Sequence, residues 1–492
     1  MAKFYITTTL PYVNDRPHIG HVLEFIQADV IARYHRQLGD EVIFNVGTDE
    51  HGIKVYRKAI EQNKDPQKFV DEYSQYFKNL KEQFNLSFTN FIRTTDPDHI
   101  KATQEFWNLS KANGDIYKKN YKIKYCVGCE LEKTDSELED GKCPIHPNLK
   151  IEEIEEENYF FNFSKYQKEL LNLYKTRHDF VMPENKLNEI KKFVEAGLND
   201  FSVSRLKSKM PWGVPVPDDP EHVMYVWFDA LVNYISTLGW PKDKSKFGDF
   251  WPGVQIAGKD NLRQQSAIWQ AMLLSAGLPP SKQILIHGFI TNTGQKISKS
   301  SGNAIDPIGI VEKYGIDPVR YYLLREIPSD EDGDFSIEKL EARHNGDLAN
   351  NLGNLVSRIT KLIETSLGGQ LDLQKNSIED KISRKISEIE ERYRKEIEKF
   401  RLHEALAAIW DLLSFANAYI DDRKPWADSV SDHLLETLAT SLVLILKGTE
   451  LLEPFLPDTA EKIYEIFGCD KNSGTIGYIQ IKDHKPLFPR LK

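Results

Sequence analysis

The sequence is short of cysteine, of long apolar runs and of net positive charge, and each shortage excludes something. Four cysteines in 492 residues cannot staple so long a chain into a disulfide framework. Three of them, Cys126, Cys129 and Cys143, fall within one short stretch, which points to metal; Cys469 stands alone and reads as structural. The richest apolar run, LVLILKGTELL from Leu442, is broken by Lys447, well short of the ~20 residues a membrane-spanning helix needs. Met1 to Thr9 lacks a basic segment leading into an apolar core, so no secretory signal is read there. The expectation is a cytoplasmic protein with no membrane partner. Lys and Arg number 64 against 74 Asp and Glu, a formal charge of −10. A polyanionic partner therefore needs a local patch on an acidic body.

What is present is a long chain with 40% hydrophobic residues, enough for several domains with sizeable cores. FYITTTL reads as a buried strand, VLEFIQADVIARYHRQLG has apolar residues at helical spacing and is closed by Gly39, and EVIFNVGTDEHG reads as a second strand. Strand, polar turn, helix and strand open a doubly wound parallel sheet, whose ligands sit at the carboxyl ends of the strands. That places His18, Gly20, His21 and Asp49 on one rim. The pattern stops near residue 115, gives way to the cysteines and the acidic KIEEIEEENYF, and resumes at HVMYVWFDALVNYI and VQIAGKDN. After Phe335 long amphipathic helical stretches dominate. The expected architecture is α/β: a Rossmann-like doubly wound parallel sheet split by a zinc-binding insertion and followed by an α-helical bundle. Its expected parts are residues 1–115 and 221–290 for the two halves of the sheet domain, 116–220 for the insertion, 291–345 for a loop-bearing connection, and 346–492 for the bundle.

PYVNDRPHIGH, at residues 11–21, puts a glycine between two histidines at a helix start. Glycine lets an extended ligand approach the backbone, and imidazoles can donate to phosphate oxygens near the positive end of the helix dipole. NTGQKISKSSGNAIDP sets Lys296 and Lys299 among serines and Gly302, a loop with two cations suited to closing over a polyphosphate. Taken singly, the first also fits an ordinary helix start and the second a solvated loop. Gly258 and Asp260 follow the VQIAG strand, where backbone approach and a carboxylate suit ribose hydroxyls. CVGC, thirteen residues, then CPIH supplies Cys126, Cys129, Cys143 and His146, paired spacing suited to one tetrahedral structural zinc. The histidine favours zinc over an iron–sulfur centre.

HIGH near the start and KISKS beyond residue 295, with a nucleotide-binding pattern between and a helical region after, resemble the class I aminoacyl-tRNA synthetases. The resemblance is closest to the methionyl-tRNA synthetase family and runs over nearly the whole chain: TTTLPYVNDRPHIGH, GTDEHG, CVGCE…CPIH, MYVWFDALVNY, GKDN, HGFITNTGQKISKS, NLGNLVSR and RKPWA. The related leucine, isoleucine, valine and cysteine synthetases are the alternatives, with small nucleotidyltransferases that share the HxGH loop but lack the insertion and the helical domain. A non-catalytic tRNA- or nucleotide-binding relative would keep the fold and lose the site, against which the intact His18, His21, Asp49, Lys296 and Lys299 argue.

The resemblance implies ATP-dependent activation of methionine and its transfer to tRNA(Met), with Mg2+ accompanying ATP. It implies that His18 and His21 contact the ATP phosphates and that Lys296 and Lys299 offset charge on the leaving pyrophosphate. Gly20, Gly258 and Asp260 would line the nucleotide, and Asp49 would hold the amino group of the amino acid. Leu10, Tyr12, Trp227, Ala230, Leu231 and Tyr234 match positions around the thioether. The family pattern has an aliphatic residue, a phenylalanine and a histidine where this chain has Asn261, Gln264 and Gln265; Gln265 is expected to donate near the sulfur in the histidine's place. Asn354, Arg358 and Trp426 match positions that read the CAU anticodon, and residues 291–345 the region that contacts the tRNA stem. The insertion is expected over the acceptor end of the tRNA. The chain ends at KPLFPRLK without a further module, so a monomer is expected.

Overall fold

The computed structural model describes residues 1–129, 131–133, 135–292, 295–296, 305–373, 379–427, 431–469, 477–482 and 485–491. The strands β1 (Lys3–Thr7), β2 (Glu41–Thr48), β3 (Asn90–Arg93), β4 (Val181–Met182), β5 (Val254–Gly258) and β6 (Gln283–His287) form a six-stranded sheet in the order β3-β2-β1-β5-β6-β4. β1 pairs in parallel with β2 and β5, β2 with β3, and β6 with β4. β1, β2 and β5 are buried along almost their whole length, as strands covered on both faces must be, which is why they read as continuous apolar runs rather than alternating ones. From β1 the chain steps outward to β2 and β3; on the other side it starts again at β5. The order thus reverses between β1 and β5, and the crevice beyond their carboxyl ends is where an open parallel sheet takes its ligand.

Two compact units are separated by their internal contacts: Met1–Pro17, His35–Lys81 and Ser87–Ile286 form one, and His18–Tyr34, Glu82–Leu86 and His287–Lys492 the other. In the first, the core is unusually aromatic. Trp107 and Trp269 are fully buried, Phe106 stacks on Trp269 at 5.7 Å, and Trp107 meets Phe228 edge-on at 5.3 Å. The cysteine segment belongs to a four-stranded antiparallel sheet built on Ile116–Cys126 and Glu152–Phe161, paired from Ile116 with Phe161 to Tyr125 with Glu152. The acidic run lies opposite lysines: Lys118 pairs with Glu157 and Lys122 with Glu153, each at 3.7 Å, and Lys209 meets the buried Glu156 at 2.9 Å. Cross-strand neutralisation of this kind explains how five glutamates share one strand.

Residues 116–220 are not wholly separate from the sheet. Val181 and Met182 return to it as β4, opposite Ile284 and Leu285. A two-residue strand leaves no periodicity to read, so the alternation that announced β1 and β2 is silent here.

The second unit is largely helical. Its longest helices are Asp380–Glu398, Leu402–Arg423 and Asp432–Leu452, with Asn354–Leu367 and Pro457–Phe467 beside them. Ser431 starts one of them by accepting from the Leu434 N–H at 3.3 Å, a cap that satisfies an otherwise orphan donor. A small antiparallel pair, Gln370–Asp372 with Tyr478–Gln480, interrupts the expected all-helical pattern. Helix α1 (Ile19–Gln37) contributes Asp29, which holds the fully buried Arg320 at 2.8 Å. Arg320 also donates to the carbonyls of Phe455 at 2.8 Å and Phe84 at 3.0 Å. A buried charge survives only when paired and hydrogen-bonded on all sides, and here it ties α1 to the helices of its own unit. Among the described residues no helix is long and apolar enough to cross a membrane.

Candidate active site and metal centre

The HIGH turn sits where α1 begins. The His18 N–H donates to Nδ1 of His21 at 3.2 Å, the Gly20 N–H donates to Nδ1 of His18 at 3.1 Å, and the two rings stack at 3.7 Å. A nitrogen that accepts a backbone proton carries none of its own, so each ring bears its proton on Nε2. Backbone geometry therefore presents both imidazoles as Nε2 donors at a helix N-terminus, the arrangement an oxyanion needs. A Cβ on Gly20 would lie 3.0 Å from Cε1 of His18, which explains the glycine between them. One turn on, Glu24 meets Nε2 of His287 at 3.0 Å, and His287 Nδ1 donates to the Gly288 carbonyl at 2.7 Å. Sequence reasoning missed this pair; the HG of HGFITNTGQKISKS was its only signal. Lys296 ends a short strand, Gln295–Lys296, opposite Asn292 and Thr291. Lys299 lies outside the described residues.

In the first unit, the segment after β1 is pinned to the end of β2. The Asp49 N–H donates to the Pro11 carbonyl at 2.9 Å, and Val13 N–H to the Asp49 carbonyl at 3.2 Å. Tyr12 meets Trp227 edge-on at 6.3 Å. These contacts bring together Tyr12, Asp49 and Trp227, with Leu10 half-buried alongside in sequence. Asp49 is not a helix cap: the following helix, Ile53–Glu61, starts at Gly52 with no side-chain cap. The indole N–H of Trp227 is buried with no hydrogen-bond partner among the described residues. Ala230, Leu231 and Tyr234 are buried in the helical turns Val226–Leu231 and Asn233–Ser236. Gln265 donates its amide to the Tyr234 hydroxyl at 2.6 Å. Gly258 closes β5, and Asp260 is exposed in the turn after it.

The loop carrying Asp49 and the helix carrying Trp227 are locked by a group the sequence did not single out. Asp229, fully buried, takes Nδ1 of His51 at 2.6 Å and Nε2 of His99 at 2.9 Å. His99 Nδ1 in turn meets the Ser236 hydroxyl at 2.9 Å. Burial raises the pKa of such a carboxyl, but the two imidazoles outweigh it and hold Asp229 at about 2. Beside His51, Glu50 is clamped by Arg93 at 2.6 and 2.9 Å. His51 lies two residues from Asp49 and Asp229 next to Ala230, both predicted substrate residues, but their pairing spans 178 positions.

Cys126, Cys129, Cys143 and His146 converge, their ligand atoms all within 4.8 Å of one another. Nδ1 of His146 lies 3.3 Å from Sγ of Cys129, 3.9 Å from Cys126 and 4.0 Å from Cys143, and Cys129 lies 3.5 Å from Cys143. These are close to the ~3.5–3.8 Å edges of a tetrahedron with zinc–ligand bonds of about 2.0–2.3 Å. Burial and the Cys143 thiol push Cys129 up to about 12, whereas hydrogen bonds outweigh burial at Cys143 and hold that thiol below its ordinary value; a metal takes its cysteine ligands as thiolates. Gly128 makes the fit possible, because a Cβ there would lie 2.4 Å from Cγ of His146.

In the helical unit, Asn354 and Arg358 share one face of Asn354–Leu367. Arg358 pairs with Asp421 at 2.7 Å, and its guanidinium lies 5.9 Å from the Trp426 ring centroid. Trp426 is 52% exposed in the turn Pro425–Ala427, so it is not a core residue. The structure brings Arg358 and Trp426 together, with Asn354 one turn before.

Residues 4–153 and 136–360 match the family model described as tRNA synthetases class I (M), and residues 379–482 match the anticodon-binding domain of tRNA ligase. The methionine–tRNA ligase of Thermotoga maritima is 45% identical over 94% of this chain and 75% of its own length. That of Rickettsia felis is 41% identical over 98% of this chain and 95% of its own. Among solved structures, Mycobacterium tuberculosis methionyl-tRNA synthetase in complex with methionyl-adenylate superposes with a TM-score of 0.95 at 37% identity, covering all of both chains. With a family match over more than half its length and relatives aligned nearly end to end, this chain belongs to the methionine branch of the class I tRNA synthetases.

Proposed function

We propose that the protein is a methionine–tRNA ligase: it joins methionine to ATP as the adenylate, releasing pyrophosphate, and passes the methionyl group to the terminal ribose of tRNA(Met). The observation that carries the reading is the HIGH turn, whose two imidazoles are each held at Nδ1 by a backbone N–H at the start of α1.

The methionine carboxylate attacks the α-phosphorus of ATP, taken as its magnesium salt, and the bond to pyrophosphate breaks. Such a reaction asks the protein for positioning and charge stabilisation rather than covalent help. His18 and His21 donate to the phosphates, while Lys296 and Lys299 neutralise the charge that gathers on pyrophosphate. Gly258 and Asp260, beyond β5, take the ribose. Asp49 holds the substrate ammonium, and Leu10, Tyr12, Trp227, Ala230 and Tyr234 enclose the apolar side chain, with Gln265 behind Tyr234. Aromatic and aliphatic walls suit a flexible, polarizable thioether.

Cys126, Cys129, Cys143 and His146 hold one zinc. With four protein ligands there is no open position for chemistry, so the ion supplies folding energy to the insertion. Residues 1–115 and 221–290 act as the catalytic halves, 116–220 as the insertion, 291–345 as the KISKS and stem-contact region, and 346–492 as the anticodon-binding part. There Asn354 and Arg358 bond base edges and Trp426 stacks on a base. The enzyme works in the cytoplasm as a monomer. Charging of a tRNA bearing a CAU anticodon with labelled methionine tests the proposal; no charging, or equal charging of a tRNA with another anticodon, contradicts it.

A further inference from the structure

The loop that carries Asp49 is held from three directions. Glu50 is fully buried; its carboxylate accepts from Arg93 at 2.6 and 2.9 Å, from the Thr48 hydroxyl at 2.8 Å and from the Thr95 hydroxyl, and its N–H donates to the Thr94 hydroxyl at 2.9 Å. His51 is taken by Asp229. The third hold comes from far along the chain. The indole N–H of Trp212 donates to the Glu50 carbonyl at 2.7 Å, and the Trp212 carbonyl accepts from the Gly52 N–H at 3.4 Å. One residue thus bonds the residues on either side of His51, and its ring meets the His51 ring edge-on at 5.5 Å.

Trp212 is no part of the parallel sheet. It stands in the turn between the strands Ser204–Leu206 and Pro215–Val216, both of which pair antiparallel with Asp219–Met224. This small sheet is fastened to the antiparallel sheet of the cysteine segment. The Val203 N–H donates to the Tyr159 carbonyl at 2.7 Å, the Tyr159 N–H donates to the Ser204 hydroxyl at 2.9 Å, and Lys209, in the same turn as Trp212, pairs with Glu156. Asp49 is bonded through its own backbone to Pro11 and Val13 on the side of β1, and Trp212 holds the peptide at the other end of the arc. That peptide is planar, so the indole that fixes the Glu50 carbonyl leaves Asp49 few ways to turn.

We infer that Trp212 is a positioning residue for recognition of the substrate amino group: through the Glu50 carbonyl it sets the Asp49 carboxylate, so that a turn fastened to the antiparallel sheet, and not the parallel sheet alone, completes the amino-acid site. The inference rests on the proposed role of Asp49 as partner of the ammonium. Such a contact is made in the ground state and the transition state alike, so its loss raises KM and spares kcat.

ATP–pyrophosphate exchange in Trp212→Phe, which keeps an aromatic ring against His51 and removes the N–H, tests it. KM for methionine is expected to rise on the order of fivefold, the worth of one neutral hydrogen bond, with kcat, KM for ATP and the melting temperature unchanged. The inhibition constant of 4-(methylthio)butanoate, which keeps the thioether and the carboxylate and lacks the amino group, should not move. An unchanged KM for methionine, an equal rise in KM for ATP, or an equal weakening of the amine-free acid would each overturn the inference. A second measurement needs no variant: in the wild-type protein methionine should slow hydrogen exchange at residues 49–52 and 207–213 together, and protection of 49–52 alone would overturn the coupling. An Asp49→Asn variant with unchanged KM for methionine would instead sink the reading of Asp49, and wild-type protein that exchanges with no amino acid would sink the proposed function.

Discussion

The proposed metal knuckle gathers its four ligands from residues 126 to 146, whereas the proposed methionine pocket draws on residues from Leu10 to Gln265. In the knuckle, spacing alone brings sulfur and nitrogen within bonding range of one ion, and the surrounding fold has only to close two short turns. The pocket has no such shortcut. Asp229 reaches back 178 positions to His51 and 130 to His99, so its geometry is a product of the whole parallel sheet. A locally encoded site should fail locally, and a site encoded by the fold should fail with it.

The largest expected effect breaks the knuckle. Structural zinc contributes about 10–16 kcal/mol to the folding of small zinc domains. Metal analysis should give one zinc per chain, and Cys126→Ser should abolish it while hydrogen exchange shows residues 116–161 losing protection and β1, β2 and β5 keeping theirs. Gly128→Ala sharpens the same point. It touches no ligand atom, but by displacing the His146 ring it should weaken zinc binding about 10- to 100-fold, as loss of a ligand-orienting group does.

Next comes the group that ties the pocket to the fold. Asp229→Ala strands two buried histidines and should cost about 3–5 kcal/mol, read as a lower urea midpoint for the whole catalytic unit rather than for one segment. Because the folded carboxyl is held at about 2, below its ordinary 3.8, its stabilisation is present above pH 4 or so and is lost as pH falls towards 2. That contribution is about 2 kcal/mol, and acid titration of the wild type against Asp229→Asn should isolate it.

A third variant separates the units. Trp426 is half-exposed, so Trp426→Ala should leave melting unchanged and cost about 1–3 kcal/mol in tRNA charging, the worth of one base–aromatic stack, with tRNA-free pyrophosphate exchange untouched. Equal losses in both assays would return Trp426 to the core. The smallest effect belongs to Gly20→Ala, whose methyl needs the His18 ring to shift by a few tenths of an ångström. KM for ATP should rise severalfold with stability unchanged.

The same division decides what could be read from the sequence. β1, α1 and β2 were legible because apolar runs and helical spacing are local, and so were HIGH and the four metal ligands. Gly128 was quoted within CVGC, yet its necessity shows only when the His146 ring is placed against it. β4 was illegible because two residues carry no period, and the pair Gln370–Asp372 with Tyr478–Gln480 because strand pairing across about a hundred residues leaves no local mark. Asp49 and Tyr234 were reached through family motifs, but Asp229, though it stands within MYVWFDALVNY, was not singled out, since it looks in sequence like an ordinary residue of its own helix. Its role exists only as hydrogen bonds to His51 and His99 closed by tertiary structure.

The central claim is that this site activates methionine, and amino-acid-dependent ATP–pyrophosphate exchange across the twenty amino acids tests it most directly. The account predicts rapid exchange with methionine and at most slight exchange with leucine, isoleucine, valine and cysteine. No exchange with methionine, or faster exchange with another amino acid, would contradict it.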